Sequence, residues 1–171
     1  CEVGVLLEQV QGEYAERLHA HDLNLIVQTP DKTLTVLADG RHLGRIFDNL
    51  MNNIIKYAQP GTRVYLDARA GLDPAAPGGS RPVAVITFRN VSAEPLNIPA
   101  EELLERFVRG DASRHTEGSG LGLAIVQSLT ELQGGSLQLA IDGDLFKVRL
   151  TFPLYTPADA AQAASSGKET P

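Results

Sequence analysis

Val3, Leu6, Leu7, Val10, Tyr14 and Leu18 recur three and four residues apart, which predicts an amphipathic helix over residues 3–20. The period then shortens to two. Leu23, Leu25 and Val27 alternate with Asn24, Ile26 and Gln28, and residues 33–38 alternate less cleanly. Two short strands are expected there, with Pro30-Asp31-Lys32 as the turn between them. Helical spacing returns over residues 41–58, and Asp39 is a suitable N-cap. The apolar stripe of this helix is Leu43, Ile46, Phe47, Leu50, Met51 and Ile54, and its polar stripe is Arg45, Asp48, Asn49, Asn52, Asn53 and Lys56. Pro60-Gly61 ends it.

Beyond it, Val64, Leu66 and Ala68 predict a strand, residues 71–81 a hairpin loop, and residues 82–89 a strongly apolar strand. Residues 90–99 read as irregular, 100–108 as a short helix and 109–117 as a mobile polar loop. A helix over residues 121–133 stops at Gly134-Gly135. Residues 136–141 and 145–152 form a hairpin across Asp142-Gly143. After Pro153, Ala, Ser, Thr and Pro dominate, so the expected domain is 1–153 and the tail 154–171 is expected to be disordered. Strands paired as hairpins, with helices between the pairs, predict an α/β fold: a two-layer sandwich with a mixed sheet under helices.

Composition narrows the function. The chain has 171 residues, 43% of them apolar, enough for one packed core. No apolar run is long enough to span a bilayer and no signal-peptide pattern opens the sequence. Because it starts at Cys1 rather than Met, it is expected to be a piece of a longer protein. Cys1 is the single cysteine, which rules out an internal disulfide and favours a reducing compartment. The net charge of −6 argues against a nucleic-acid partner, which usually meets a basic face. A nucleotide remains possible, since one anion needs only a local cluster of donors.

Two constellations carry candidate chemistry. Asn is a poor helix former, up to ~0.7 kcal/mol worse than Ala, yet the second helix carries Asn49, Asn52 and Asn53. Asn49, Asn53 and Lys56 fall on one line. An amide oxygen is a hard ligand suited to magnesium, and a lysine one turn away suits a phosphate. The plain alternative is the wet face of an amphipathic helix. The second constellation is Gly118-Ser119-Gly120-Leu121-Gly122-Leu123 running into a helix. Glycines permit close backbone approach, and a helix N-terminus offers unpaired N–H groups and a positive dipole end. The plain alternative is a flexible linker. It is not a phosphate-loop motif, because no Gly-Lys-Ser/Thr follows, and a polar loop precedes it where a dinucleotide fingerprint needs an apolar strand.

Taken together and in order, these segments resemble a known family. Asn49-Leu50-Met51-Asn52-Asn53-Ile54-Ile55-Lys56-Tyr57 looks like the asparagine box of bacterial sensor histidine kinases. Glu105-Arg106-Phe107-Val108-Arg109 through Ser113-Arg114, then residues 118–126 and Leu132-Gln133-Gly134-Gly135, look like their phenylalanine box, lid and second glycine box. The resemblance covers roughly residues 2–153. It implies the Bergerat ATP-binding fold of the GHKL superfamily, a mixed sheet of about five strands under three helices, with ATP and magnesium as ligands. It further implies that Asn53 coordinates magnesium, Asn49 supports metal or phosphates, Lys56 meets a phosphate and Tyr57 borders the adenine. Gly118, Gly120, Leu121 and Gly122 would shape the lid against the phosphates, with Arg106, Arg109 and Arg114 as helpers, a solvated charged loop being the plain alternative for these arginines. Relatives that hydrolyse ATP carry Glu where this chain has Asn49, whose amide cannot accept a proton at neutral pH. The site therefore resembles one that positions a phosphoryl group for another acceptor.

The resemblance breaks at two places. The first glycine box, Asp-x-Gly-x-Gly, is missing, and Asn90 stands for its aspartate. Asn accepts through its oxygen without the charge that strengthens such a bond, and its nitrogen donates, so poorer discrimination between ATP and GTP is expected. The phosphoacceptor histidine is also missing: His19, His21, His42 and His115 lack its sequence context.

The expected function is the catalytic domain of a sensor histidine kinase. It would act on a histidine of an upstream dimerisation domain and serve a response regulator. The resemblance implies a cytoplasmic domain, in a parent of a kind often anchored in the inner membrane. The fragment is expected to be a monomer and the parent a homodimer. The alternative is a pseudokinase or interaction module that keeps the fold.

Overall fold

Alternating burial over residues 64–68 and 148–152 marks the covered side of the sheet, while residues 83–88 of the central strand are buried on both sides. The computed structural model of the chain describes residues 1–29, 33–74, 76, 78–108 and 121–156. Among them the elements run α1 (Val3–Ala20), β1 (Asn24–Gln28), α2 (Gly40–Tyr57), β2 (Arg63–Asp73), β3 (Arg81–Val91), α3 (Ala100–Val108), α4 (Leu121–Leu132), β4 (Ser136–Asp142) and β5 (Leu145–Pro153). The strand order is β1-β2-β3-β5-β4. In register, Leu66 of β2 faces Phe88 of β3, which faces Val148 of β5, and Ala68 faces Ile86, which faces Leu150. All six are buried. This face meets the helices: Phe47 of α2 packs edge-on against Phe88 with ring centroids 5.4 Å apart. The stripes read from α1 and α2 are the buried ones, Leu6 of α1 being only partly so.

The sheet is mixed, as expected, but its edge is built differently. β1 pairs with β2 in parallel, Asn24 with Arg63 through Gln28 with Asp67, and α2 is the crossover between them. Parallel neighbours need such a crossover, so β1 is not half of a hairpin. Residues 30–32, read as its turn, lie outside the described residues. The strand expected over residues 33–38 reduces to two isolated bridges, Thr35 with Glu2 and Val36 with Leu154. These pin the start of α1 and the end of β5 instead. β2 and β3 are each longer than expected, so Asn90 belongs to a strand. The last hairpin turns on Gly143-Asp144, with Asp142 still paired to Leu145. Four helices are present among the described residues, the four that the sequence pattern predicts, where the resemblance implied three. α1 lies on α2, β1 and β2, and α4 lies between α2, α3 and β4.

Two local devices fix α2 and α4. The Asp39 carboxylate accepts from the Arg41 N–H at 2.8 Å, so it caps α2 as expected. Its own N–H donates to Gln133 Oε1 at 2.7 Å, and Gln133 Nε2 donates to the Leu129 carbonyl, so the end of α4 is tied to the start of α2. Gly134 stops α4 in the left-handed region at φ +69. A side chain on Gly135 would collide with the Thr151 carbonyl oxygen and the Phe152 ring.

Backbone hydrogen bonding continues past Pro153 to Tyr155. The Leu154 N–H donates to the Pro82 carbonyl at 3.2 Å and the Tyr155 N–H to the Thr35 carbonyl at 2.9 Å. Residues 157–171, the rest of the expected tail, lie outside the described residues. No helix among the described residues is long and apolar enough to cross a membrane.

Candidate nucleotide site

The polar stripe of α2 divides between two neighbours. Asp48 and Asn52 turn toward α1. Tyr14 donates its hydroxyl to Asp48 at 2.9 Å, and Arg17 donates to Asn52 Oδ1 at 2.9 Å. Tyr14 is buried. Burial first, and then the hydrogen bond to the Asp48 carboxylate, push its hydroxyl up to about 12. Asp48 and Asn52 therefore tie two helices together; Asp48 does so from a part-buried position, while Asn52 and its bond to Arg17 stay on the wet face.

Asn49 and Asn53 turn the other way, toward the first turn of α4. A Cβ placed on Gly122 would lie 3.4 Å from Asn53 Nδ2 and 3.5 Å from both Asn53 Oδ1 and Asn49 Oδ1. Gly122 is buried there. Asn49 donates its Nδ2 to the Arg45 carbonyl one turn back, at 2.7 Å. That bond fixes the amide orientation and leaves the oxygen toward α4. The helix N-terminus thus meets two carboxamide oxygens at a point where no side chain intervenes. Such a point offers hard oxygen donors for a cation beside backbone N–H groups for an anion. No group of three or more His, Cys, Asp or Glu able to hold a metal exists among the described residues. The donor set here fits magnesium, which keeps waters and phosphate oxygens in its shell and takes few protein ligands.

At the other end of α2, Lys56 is exposed and its Nζ sits 5.2 Å from the centroid of the Tyr57 ring. Tyr57 is 42% exposed. The end of α2 is stitched to the end of β3: the Ala93 N–H donates to the Tyr57 carbonyl at 2.9 Å and the Gln59 N–H to the Val91 carbonyl at 2.8 Å. Asn90 lies beside this seam, on the helix-facing side of β3 opposite Phe146. It is 4% exposed, and among the described residues its side-chain amide makes no hydrogen bond. A buried amide of this kind has both a donor and an acceptor to offer a base edge.

The structure thus brings Asn49, Asn53 and Gly122 together, and places Lys56, Tyr57 and Asn90 around the last turn of the same helix. Arg109, Arg114, Gly118 and Gly120 lie outside the described residues, as do the side chains of Arg106 and Leu121. Gln133, whose clamp sets the angle of α4 over α2, was not anticipated as more than part of a glycine box. An amide three residues past a helix's last buried position gives no sequence sign of its partner.

Residues 38–156 match a family described as histidine kinase-, DNA gyrase B-, and HSP90-like ATPase. The sensor protein VanS of Enterococcus faecium is 29% identical over 150 residues, covering 86% of this chain and 36% of that protein. The chain therefore spans about a third of that relative's length. Among solved structures, the catalytic domain of the histidine kinase ThkA superposes with a TM-score of 0.73 at 20% identity, over 90% of this chain and 93% of that one. Full-length ShkA in complex with AMPPNP superposes with a TM-score of 0.70 at 24% identity, over 91% of this chain and 31% of that one. At these identities the two likenesses speak for the fold.

Proposed function

The chain belongs to the histidine kinase-, DNA gyrase B-, and HSP90-like ATPase family, and from that premise we propose that it is the ATP-binding catalytic domain of a sensor histidine kinase. It would hand the γ-phosphoryl group of ATP to a histidine on a dimerisation domain of the parent, for onward passage to a response regulator. The observation that carries this reading is the contact of the Gly122 turn with the Asn49 and Asn53 amides.

In this reading the triphosphate lies between α2 and the first turn of α4. The N–H groups of that turn take phosphate oxygens. Asn53 Oδ1, seconded by Asn49 Oδ1, would hold magnesium, which would supply neutralisation of the phosphate charge. Lys56 adds a cation one turn on, and Tyr57 and Asn90 flank the base. Transfer breaks the bond from the γ-phosphorus to the bridging oxygen, leaving ADP, and forms a bond to an imidazole nitrogen. Such chemistry asks the protein for position and charge compensation more than for covalent help. Asn49 supports this assignment over steady hydrolysis. Its Nδ2 is spent on the Arg45 carbonyl, and an amide oxygen does not take a proton from water at neutral pH. The remaining partner and location assignments, a cytoplasmic domain in a homodimeric, membrane-anchored parent, come with the same proposal.

The test is to incubate ATP labelled in its γ-phosphoryl group with this domain and a histidine-bearing dimerisation domain of the parent. Acid-labile, alkali-stable label on that domain, lost with Asn53→Ala, is the expected result. ATP that binds without labelling it would make the chain a pseudokinase or interaction module. Steady release of free phosphate by the domain alone would make it an ATPase.

A further inference from the structure

The face of the sheet turned away from the helices carries charge of the opposite sign to the chain as a whole. Three adjacent rows run across it. Tyr65, Arg89 and Lys147 form one, Asp67, Thr87 and Arg149 the next, and Arg69, Val85 and Thr151 the third. These rows hold four bases and one acid, in a chain of net charge −6. Asp73 and Asp142 lie beyond them, at the two ends of the face.

The arrangement is poorly compensated. Arg89 and Lys147 are directly opposite each other across β3 and β5, a like-charge pairing that destabilises a sheet. Asp67 answers only Arg89, at 2.7 Å, and that guanidinium also lies 5.0 Å from the centroid of Tyr65. Among the described residues Arg69, Lys147 and Arg149 have no ion-pair partner. The Nε atoms of Arg89 and Arg149 are both buried without an acceptor. A buried N–H on a charged group without an acceptor costs stability. Thr87 and Val85 are 5% and 1% exposed, whereas Arg69 is exposed and Arg89, Lys147 and Arg149 are partly so.

We infer that the charged side chains of this sheet face form a docking surface for an acidic segment of another protein, a run of Asp and Glu side chains laid across the exposed and half-buried bases of β2, β3 and β5. Three of the four bases are arginines, whose planar forks pair with carboxylates through two parallel hydrogen bonds. The overall charge selects the kind of anion. A nucleic acid or a lipid surface extends past the three rows and meets the negative remainder of the domain within a screening length. A short acidic segment need touch only the rows. This surface is on the opposite side of the sheet from the nucleotide site and does not depend on that site's function.

The experiment is a titration of the isotopically labelled chain with poly-L-glutamate, followed by backbone amide NMR at low salt and repeated at higher salt. The expected shifts fall on Tyr65, Arg89, Lys147 and Arg149 and weaken steeply with salt. Lys147→Gln, whose fold is checked by its Tm, should weaken binding up to about fivefold. Arg149→Glu with Lys147→Glu should abolish it. Shifts confined to α2 and α4, or no shift with millimolar peptide, would overturn the inference. So would tighter binding of a single-stranded oligonucleotide or of phosphatidylserine vesicles at the same salt. Self-association of the chain through this face, seen by sedimentation and lost in the double variant, would replace the acidic segment by a second copy and overturn it too.

Discussion

Gly122 of α4 faces Asn53 of α2, where a methyl group at Gly122 would sit in ordinary contact, 3.4 Å from Asn53 Nδ2. The backbone there is ordinary, since Gly122 is not among the positive-φ glycines. A methyl group there would make ordinary contact with the Asn49 and Asn53 amides and occupy the point where a ligand would meet them. Gly122→Ala should raise or preserve the Tm of the free domain, because Ala favours a helix over Gly by about 1 kcal/mol. It should also weaken magnesium-ATP about tenfold, or about 1.4 kcal/mol. Calorimetric titration and a melting curve on the same sample check both halves.

Asn53→Ala should show the same separation more strongly. The free domain keeps its Tm, since Asn is the poorer helix former by up to ~0.7 kcal/mol. Nucleotide affinity in the presence of magnesium should fall by at least about tenfold, and the difference between titrations with and without magnesium should disappear. A fall in Tm with unchanged affinity would make Asn53 a packing residue.

Asn90→Asp should sharpen the choice of base. A carboxylate only accepts, whereas the buried amide both accepts and donates. Titration of ATP and GTP against both forms should show a higher ATP-to-GTP affinity ratio in Asn90→Asp, with a lower Tm for the free variant from the buried charge. An unchanged ratio would remove Asn90 from the base-recognition assignment.

Tyr14 ties α1 to α2 through Asp48, and its neutral form is the one the fold favours, with its hydroxyl pushed from 10.0 up to about 12. A raised value in the folded state means that this contribution is whole below pH 10 and is lost as pH rises through 12. Alkaline difference spectra, compared with those of Tyr14→Phe, should assign Tyr14 an ionisation near pH 12. Tyr14→Phe should cost about 1 kcal/mol near neutral pH and flatten the stability curve in that alkaline window.

Gly135→Ala should be the most damaging of these changes. Its Cβ would meet the Thr151 carbonyl and come within 2.9 Å of Phe152 Cδ1, with backbone on one side and a buried ring on the other. A loss of about 2–3 kcal/mol is expected, seen as a Tm lower by roughly 5–10 °C.

How legible each feature was in the sequence follows from the range of the interactions that fix it. α1 and α2 were readable because their buried stripes repeat locally. The Gly134-Gly135 stop was readable because it depends on the conformation of one residue. β1's partner was not, because parallel pairing across α2 leaves no turn signal. Residues 33–38 alternate like a strand, yet Thr35 and Val36 each find only a single bridge. The site was half readable. Spacing put Asn49, Asn52 and Asn53 on one broad face, but only the flanking helices separate Asn52, bonded to Arg17, from Asn49 and Asn53, which lie against Gly122. The Asp39–Gln133 clamp joins residues 94 positions apart and has no local sign at all.

The central claim is that α2 and the first turn of α4 grip one magnesium-nucleotide. Backbone amide NMR of the chain, titrated with AMPPNP and magnesium, tests it most directly. The account predicts that Asn49, Asn53 and Gly122 shift together along one saturating curve and that Asn53→Ala abolishes the set. Saturating nucleotide that leaves these three resonances unmoved, or moves them equally in Asn53→Ala, would contradict it.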